Sequence, residues 1–382
     1  MKVIVFGAGR MGQAIVHDLC IYSSYDITMV DRDVESIENA KKFLERKEID
    51  FIKLDLEKTG DSDVKQLLQR HDIAVSALPY RFNFYLAKQS VKAKTHFLDL
   101  GGNHDIVDME LRLMDTARKN NVTVIPDCGL APGLVSIITH DIVDQMDTVE
   151  YVKLRVGGVP VHPKPPFNYQ LVFSPEGLIN EYVEDAIVLD HEKIVRKKSM
   201  TELETLQFPE PFGTMEAFLT SGGISTLPYT YRDRIKYLDY KTVRYPGHCE
   251  KFRTLLGLGL AEEKEISIGN TNVVPRIFFA ALLSKKLPQH GKDAVLLKVV
   301  SRGTKNGELL DLEYTMIDYY DEKNNISAMM RTTGYTTSVI TQMIADNVIT
   351  QRGVFCPENI VPPKIFFDEL RKRGINISRR KK

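Results

Sequence analysis

The segment Gly7-Ala8-Gly9-Arg10-Met11-Gly12 stands directly after an apolar β-branched run, Lys2–Phe6, and directly before apolar residues at helical spacing. Few features constrain a fold as tightly, because a glycine turn at a strand-to-helix junction is the opening of a parallel β-α-β unit. Gly7 permits the tight turn. Gly9 lets a pyrophosphate approach the backbone, and Gly12 lets the helix press on its strand. The helix N-terminus, with Arg10 and Met11 in its first turn, offers N–H groups and a partial positive charge to a diphosphate.

The first half of the chain repeats this unit. Strands are expected at Asp26–Val30, Asp50–Leu54, Ile73–Ala77, His96–Leu100 and Val122–Pro126. Between them, Val34–Leu44, Asp61–Gln69, Phe84–Lys92 and Asp105–Lys119 carry apolar residues three and four apart. Most of the strands are too continuously apolar to leave one face in water, so both faces are covered. The pattern predicts an α/β fold: a Rossmann domain with a doubly wound parallel sheet over residues 1–130.

In such sheets ligands lie beyond the carboxyl ends of the strands, and the residues there are informative. Asp31 ends the second strand nineteen residues after Gly12, where a carboxylate accepts ribose hydroxyls and repels a 2′-phosphate. That favours NAD over NADP, although Arg32 follows immediately. Asp55 reaches the adenine side or caps its own loop. Ala77, Leu78 and Pro79 suit a backbone lying against the cofactor, with Tyr80 closing the substrate end. The fifth and sixth strands end in Asp99-Leu100-Gly101-Gly102 and Asp127-Cys128-Gly129, so acidic residues and glycine turns converge on one edge. Cys128 has no adjacent base and reads as packing.

After the turn Gly129–Gly133 and a helix over Leu134–Gln145, the sequence becomes β-rich, with strands expected at Tyr151–Val156, Lys236–Tyr245, Ala294–Ser301 and Leu310–Tyr319. This predicts a second, α+β domain with a mixed or antiparallel sheet over residues 131–330. Residues 331–382 are expected to pack back on the Rossmann domain, with Thr332–Ile340 leading into a helix over Met343–Val348. The prolines 160, 163, 165 and 166 read as a stiff loop. The closing basic cluster, Arg371–Arg373 and Arg379–Lys382, reads as a solvated tail.

Composition narrows the function classes. A chain of 382 residues, 43% hydrophobic, exceeds what one core usually organises. Its 51 Lys and Arg balance 51 Asp and Glu, leaving no net basic field for nucleic acid. The four cysteines are dispersed, as in a cytoplasmic protein, and no His/Cys/Asp/Glu group has metal-ligand spacing. No apolar run approaches the roughly 20 residues that span a bilayer, so a soluble chain without a membrane partner is expected.

The segments GAGRMG, SALPY, DLGGN and DCGLAPG resemble the saccharopine dehydrogenase family. Gly157–Pro160, Phe173–Leu178, Thr220–Leu227 and Tyr240–His248 resemble its lysine 6-dehydrogenase branch. The resemblance implies NAD-linked oxidative deamination of the ε-amine of L-lysine, giving a semialdehyde that closes to Δ1-piperideine-6-carboxylate. It also implies a homo-oligomer, a dimer or dimer of dimers, built through the second domain. Two alternatives stay open: a saccharopine or carboxynorspermidine dehydrogenase, and a non-catalytic NAD-binding sensor.

The chemistry itself limits the site. An ammonium has no lone pair to assist hydride departure, and a free lysine amine has a pKa of about 10.4, so a base, or a site that disfavours the cation, is required to hold the neutral form. Asp127 and His248 are the candidates. Arg244 offers the planar fork that grips an amino-acid carboxylate. Thr220, Ser221 and Gly222 offer hydroxyls and backbone N–H groups to the same substrate.

Overall fold

A computed structural model describes residues 1–45, 48–289 and 291–381. The chain forms two compact units, Met1–Asp141 with Met330–Ile375, and Ile142–Met329 with Asn376–Lys382. The first break follows Asp141, inside the helix Leu134–Gln145, whereas the sequence reading sets the domain boundary at residue 130.

In the first unit, β1 (Lys2–Phe6), β2 (Asp26–Asp31), β3 (Ile49–Lys53), β4 (Ile73–Ser76), β5 (His96–Asp99) and β6 (Thr123–Ile125) form a parallel sheet. The order is 3-2-1-4-5-6, and the short strand Gly353–Val354 adds beyond β6. Strand order reverses between β1 and β4, the switch point at which doubly wound sheets take ligands. Strands β1, β4, β5 and β6 are buried along nearly their whole length, as apolar residues on both faces require, while the edge strand β3 buries only Ile49. Helices cover both faces, and the core includes Ile4, Phe6, Leu68, Leu86, Phe97 and Val124.

Residues 330–375 belong to this unit because they complete its packing. The helix Arg10–Tyr22 meets the helix Ala328–Ala345 so closely that a Cβ on Gly334 would lie 2.7 Å from Ala14 Cβ. Arg373 and Asp18, both without solvent contact, form an ion pair with Nε 2.9 Å from the carboxylate. Burial works to raise the Asp18 carboxyl, and Arg373 opposes it.

The Thr-rich stretch expected to lead into a helix is itself helical. The hydroxyls of Thr336, Thr337 and Thr341 donate to carbonyls four residues earlier, within the helix, instead of capping its start. The start lies at Ala328, where Asp293 accepts the N–H groups of Ala328 and Met329 at 2.7 and 3.0 Å.

The second unit is a mixed sheet. Its strands are β7 (Thr148–Pro160), β8 (Ala186–Asp190), β9 (Lys193–Lys197), β10 (Glu204–Gln207), β11 (Thr214–Leu219) and β12 (Ile235–Arg244), then a separate hairpin of β13 (Ile266–Ile268) and β14 (Thr271–Val273), then β15 (Asp293–Lys305) and β16 (Glu308–Tyr319). β7 and β12 are parallel, and the other pairings are antiparallel. The basic residues Arg379–Lys381 are not a solvated tail: with Ser378 they form a strand on β16. A lysine- and arginine-rich edge strand of this kind discourages further strand addition. No helix of the described residues is long and apolar enough to cross a membrane.

Candidate functional site

The glycine loop of the first unit has the geometry that its residues anticipate. Gly7 has φ +107°, and a Cβ there would lie 2.8 Å from the Ala77 carbonyl oxygen. A Cβ on Gly12 would fall 1.8 Å from the Gly7 carbonyl oxygen. Gly9 differs: a Cβ there meets nothing within 4 Å. It is the N-cap of the helix Arg10–Tyr22, and no side chain caps that terminus. Fold closure therefore requires Gly7 and Gly12, whereas Gly9 borders open space of the kind a diphosphate fills.

Asp31 lies beside this loop. Its Oδ2 accepts the Ala8 N–H at 2.7 Å and its Oδ1 accepts the Asp33 N–H at 2.9 Å. These bonds fix the carboxylate and leave lone pairs over for ribose hydroxyls. Two guanidiniums flank the same rim: Arg32 and Arg81 converge on Glu57, at 3.2 and 3.5 Å. Asp55 takes the local role, accepting the Glu57 N–H at 3.0 Å. Ala77 donates its N–H to the Phe6 carbonyl, Leu78 packs near Gly7, and Pro79 starts the short 3₁₀ turn Tyr80–Phe82. The Tyr80 ring faces Gly102. The open cradle at Gly9, the uncapped helix terminus and the anchored Asp31 fit a dinucleotide, with Gly7–Gly12 at the diphosphate and Asp31 at the adenosine ribose.

Beyond β5 and β6 the acidic residues gather in the interior. Asp99 Oδ1 accepts the N–H of Gly101 at 2.7 Å and of Asp127 at 3.3 Å. Burial lifts the Asp99 carboxyl to about 6, and burial together with Asp99 and Asp127 holds Glu110 well above its ordinary value. Asp127 has φ +62°, and its Oδ1 occupies the place where a Gly101 Cβ would stand. Cys128 is buried, and burial with the neighbouring acids keeps its thiol protonated, as a packing residue requires.

The second unit contains a cluster built around Arg244, at the end of β12. Arg244 is buried, 3% exposed. Its Nε donates to the Tyr182 hydroxyl at 3.2 Å, one of its terminal nitrogens donates to the Val243 carbonyl at 2.9 Å, and the guanidinium lies 4.9 Å from the Tyr169 ring centroid. It makes no ion pair with a carboxylate among the described residues. Burial opposes its charge, and the Tyr182 and Tyr169 oxygens with Glu181 hold it protonated.

His248 closes the other end of that network. Its Nδ1 lies 3.2 Å from the Phe167 carbonyl and its Nε2 2.9 Å from the Tyr182 hydroxyl. A carbonyl only accepts, so Nδ1 carries the proton and Nε2 accepts from Tyr182, which leaves the tyrosine oxygen free to accept from Arg244. Burial, and after it Arg244, pushes the imidazole down to about 3. Both ring nitrogens are thus engaged inside the cluster.

Of the remaining sequence candidates, Thr220 has a buried Oγ1 with no hydrogen-bond partner among the described residues. Ser221 instead serves the neighbouring helix Pro175–Val183: its N–H donates to the Glu181 carbonyl at 3.0 Å and its hydroxyl to the Asn180 carbonyl at 3.3 Å. Gly222 takes φ +82° in the same turn. The sequence did not mark Tyr169, Tyr182 or Glu181. Tyr182 reads only as part of an apolar helix face, and a glutamate one position along carries no motif. Among the described residues no group of three or more His, Cys, Asp or Glu side chains is arranged to hold a metal ion.

Comparison with known proteins follows the same division. Residues 3–125 match the Saccharopine dehydrogenase NADP binding domain, and residues 129–375 match the Saccharopine dehydrogenase C-terminal domain. The chain belongs to the saccharopine dehydrogenase family. Relatives within reach of sequence comparison include the mitochondrial α-aminoadipic semialdehyde synthase of Mus musculus, 22% identical over 93% of this chain and 45% of the mouse protein. The saccharopine dehydrogenase [NADP(+), L-glutamate-forming] of Saccharomyces cerevisiae is 22% identical over 69% of this chain and 59% of its own length. The chain thus spans about half the length of the curated relatives it matches. Two solved structures share the fold: apo saccharopine dehydrogenase (L-Glu forming) from Saccharomyces cerevisiae, with TM-score 0.80, 18% identity and coverage of 100% of this chain and 99% of that one, and homospermidine synthase from Legionella pneumophila in complex with NAD, with TM-score 0.68, 14% identity and coverage of 100% and 91%.

Proposed function

We propose that this member of the saccharopine dehydrogenase family is an NAD-linked dehydrogenase that oxidises the ε-carbon of L-lysine. The observation that carries the reading is Arg244: a buried guanidinium held in place by neutral groups, with no protein carboxylate against it. Leaving a charge unpaired in an interior is costly, and a substrate carboxylate offsets that cost through two parallel hydrogen bonds. This cluster contains one cation, which suits a substrate with one carboxylate. The segments that resemble lysine 6-dehydrogenase include Thr220–Leu227 and Tyr240–His248, and so contain Thr220, Arg244 and His248.

The nicotinamide, when bound, accepts the hydride. The chain's own residues bind, orient and exchange protons. Arg244 holds the carboxylate, Tyr182 and His248 hold Arg244, and Thr220 supplies a hydroxyl. Asp127 is the proposed proton acceptor for the ε-ammonium, because His248 uses both nitrogens elsewhere; its left-handed backbone is a strained geometry of the sort found at functional residues. The C–H hydride and an N–H proton leave to give an imine. Water then adds, ammonia departs, and the semialdehyde condenses with its own α-amine.

Purified protein supplied with NAD and L-lysine is expected to produce NADH and ammonia in equal amounts. A second reading, a saccharopine-type substrate, is favoured by the yeast relative; turnover of saccharopine and not of lysine selects it. Tight NAD binding with no turnover of any amino compound selects a sensor.

A further inference from the structure

Asp127 takes a left-handed backbone, φ +62°, without being glycine. Glycine reaches that region at little cost, and the neighbouring turns use it: Gly101, Gly102 and Gly133 have φ of +74°, +115° and +124°. An aspartate in the same conformation gives up that ease and gains a carboxylate. Such a backbone persists at a non-glycine residue only where its surroundings hold it.

The group that holds it is Asp99, at the end of β5, which has no solvent exposure. Its Oδ1 accepts the Gly101 N–H at 2.7 Å and the Asp127 N–H at 3.3 Å, so one oxygen ties the loop after β5 to the loop after β6. The Cys128 N–H adds a second tie, to the Asp99 carbonyl at 2.8 Å. On the far side of this brace the Asp127 carboxylate lies against Gly101. A Cβ on Gly101 would fall 2.0 Å from Asp127 Oδ1 and 3.1 Å from Asp127 Cα. Gly101 is thus required twice, for its positive φ and for the notch that its missing side chain leaves. The brace acts on the N–H of Asp127 and the notch on its carboxylate, so both ends of the residue are fixed.

We propose that Asp99 is a positioning residue for the reaction: by gathering the N–H groups of Gly101 and Asp127 on one oxygen, it keeps Asp127 left-handed and delivers its carboxylate into the notch at Gly101. The inference rests on the reading of Asp127 as the proton acceptor. A misplacement of about 1 Å at a reacting group can cost about a hundredfold in rate, which sets the scale of the effect.

The test is NAD-dependent lysine oxidation by the full chain, read as kcat and KM, beside amide hydrogen exchange. Asp99→Ala removes the acceptor and is expected to lower kcat about ten- to hundredfold, with KM for lysine and the affinity for NAD within about threefold of wild type. Asp99→Asn keeps an oxygen for the two N–H groups, and its kcat is expected to stay within about threefold of wild type. In an Asp127→Asn background no base remains to be aimed, so adding Asp99→Ala should change the residual rate by less than about twofold. An equal loss from Asp99→Ala in both backgrounds, or a loss in Asp99→Asn as large as in Asp99→Ala, overturns the proposal. Wild type supplies a measurement that depends on no variant folding: its Gly101 and Asp127 amides should exchange with solvent at least about a hundredfold more slowly than free amides, and unprotected exchange at Asp127 overturns the proposal as well. If wild type does not oxidise lysine, yet both amides are protected and lose that protection in Asp99→Ala, the proposed reaction fails and the brace on Asp127 stands.

Discussion

Glu216 lies opposite Arg244 in the ladder of β11 and β12, yet its carboxylate turns to the backbone instead of the guanidinium. Its two oxygens accept the N–H groups of Gly247 and Cys249 at 2.8 and 2.6 Å, capping the helix His248–Gly257. The acid best placed to neutralise Arg244 is thereby committed elsewhere. Glu216→Gln keeps one acceptor and places an amide donor against a backbone donor, so it is expected to cost about 1–2 kcal/mol in denaturant unfolding. The cap loss also loosens His248, and carboxylate ligands should bind more weakly without any change at Arg244 itself.

The glycine loop separates folding from binding. Gly9→Ala adds a methyl where space is open, so its melting temperature should stay within a degree or two of wild type while dinucleotide affinity drops more than about tenfold. Gly12→Ala drives a methyl into the Gly7 carbonyl and should lose both. Calorimetry with NAD beside thermal unfolding checks the pair; equal melting temperatures for the two variants would contradict the geometry.

Coenzyme choice turns on a three-residue balance. Glu57 occupies both Arg32 and Arg81, which otherwise offer positive charge near the Asp31 carboxylate. Glu57→Gln should release both guanidiniums and raise NADP affinity relative to NAD by about three- to tenfold, because exposed pairs of this kind are worth up to about 1 kcal/mol. The shift should shrink at high salt. Titration of each coenzyme at two ionic strengths measures it.

Stability should respond to pH through Asp99. Its folded carboxyl is lifted to about 6 by burial, against an unfolded value near 3.9. The folded state therefore binds the extra proton between about pH 4 and 6, and this group makes the fold less stable as pH rises through that window. Facing it are Glu110, Asp127, the Asn83 amide and the N–H groups of Gly101 and Asp127. Asp99→Asn retains an acceptor for those N–H groups, and should flatten the slope and stabilise the protein above pH 6 by roughly 1–3 kcal/mol. Denaturant midpoints at pH 4, 6 and 8 give the comparison.

Much of the first unit was legible in its sequence, since a doubly wound sheet writes its pattern locally: apolar runs for strands buried on both faces, glycines where backbones touch, acids at strand ends. Gly7, Gly12 and Asp31 lie where those rules put them. The Arg244 cluster was legible only in part. Its members come from the end of β12, one turn of the helix Pro175–Val183, the loop at Tyr169 and the start of the helix at His248, and no local periodicity links them. His248 stood out as a titratable residue, but its pairing with Tyr182 and Phe167 arises from tertiary packing. The basic terminal residues misled because four charged or polar residues look the same whether solvated or hydrogen-bonded along a sheet edge.

The buried pair of Asp18 and Arg373 couples residues 355 positions apart, and that has a consequence for biosynthesis. A ribosome that has released residues 1–141 has made most of the dinucleotide-binding sheet but none of Arg373, and the groove beside Ala14 still lacks Gly334. The nascent first unit must wait, incomplete, while the intervening 142–329 emerge and fold on their own sheet. Chaperone dependence should accordingly fall on residues 1–141, although they are synthesised before residues 142–329.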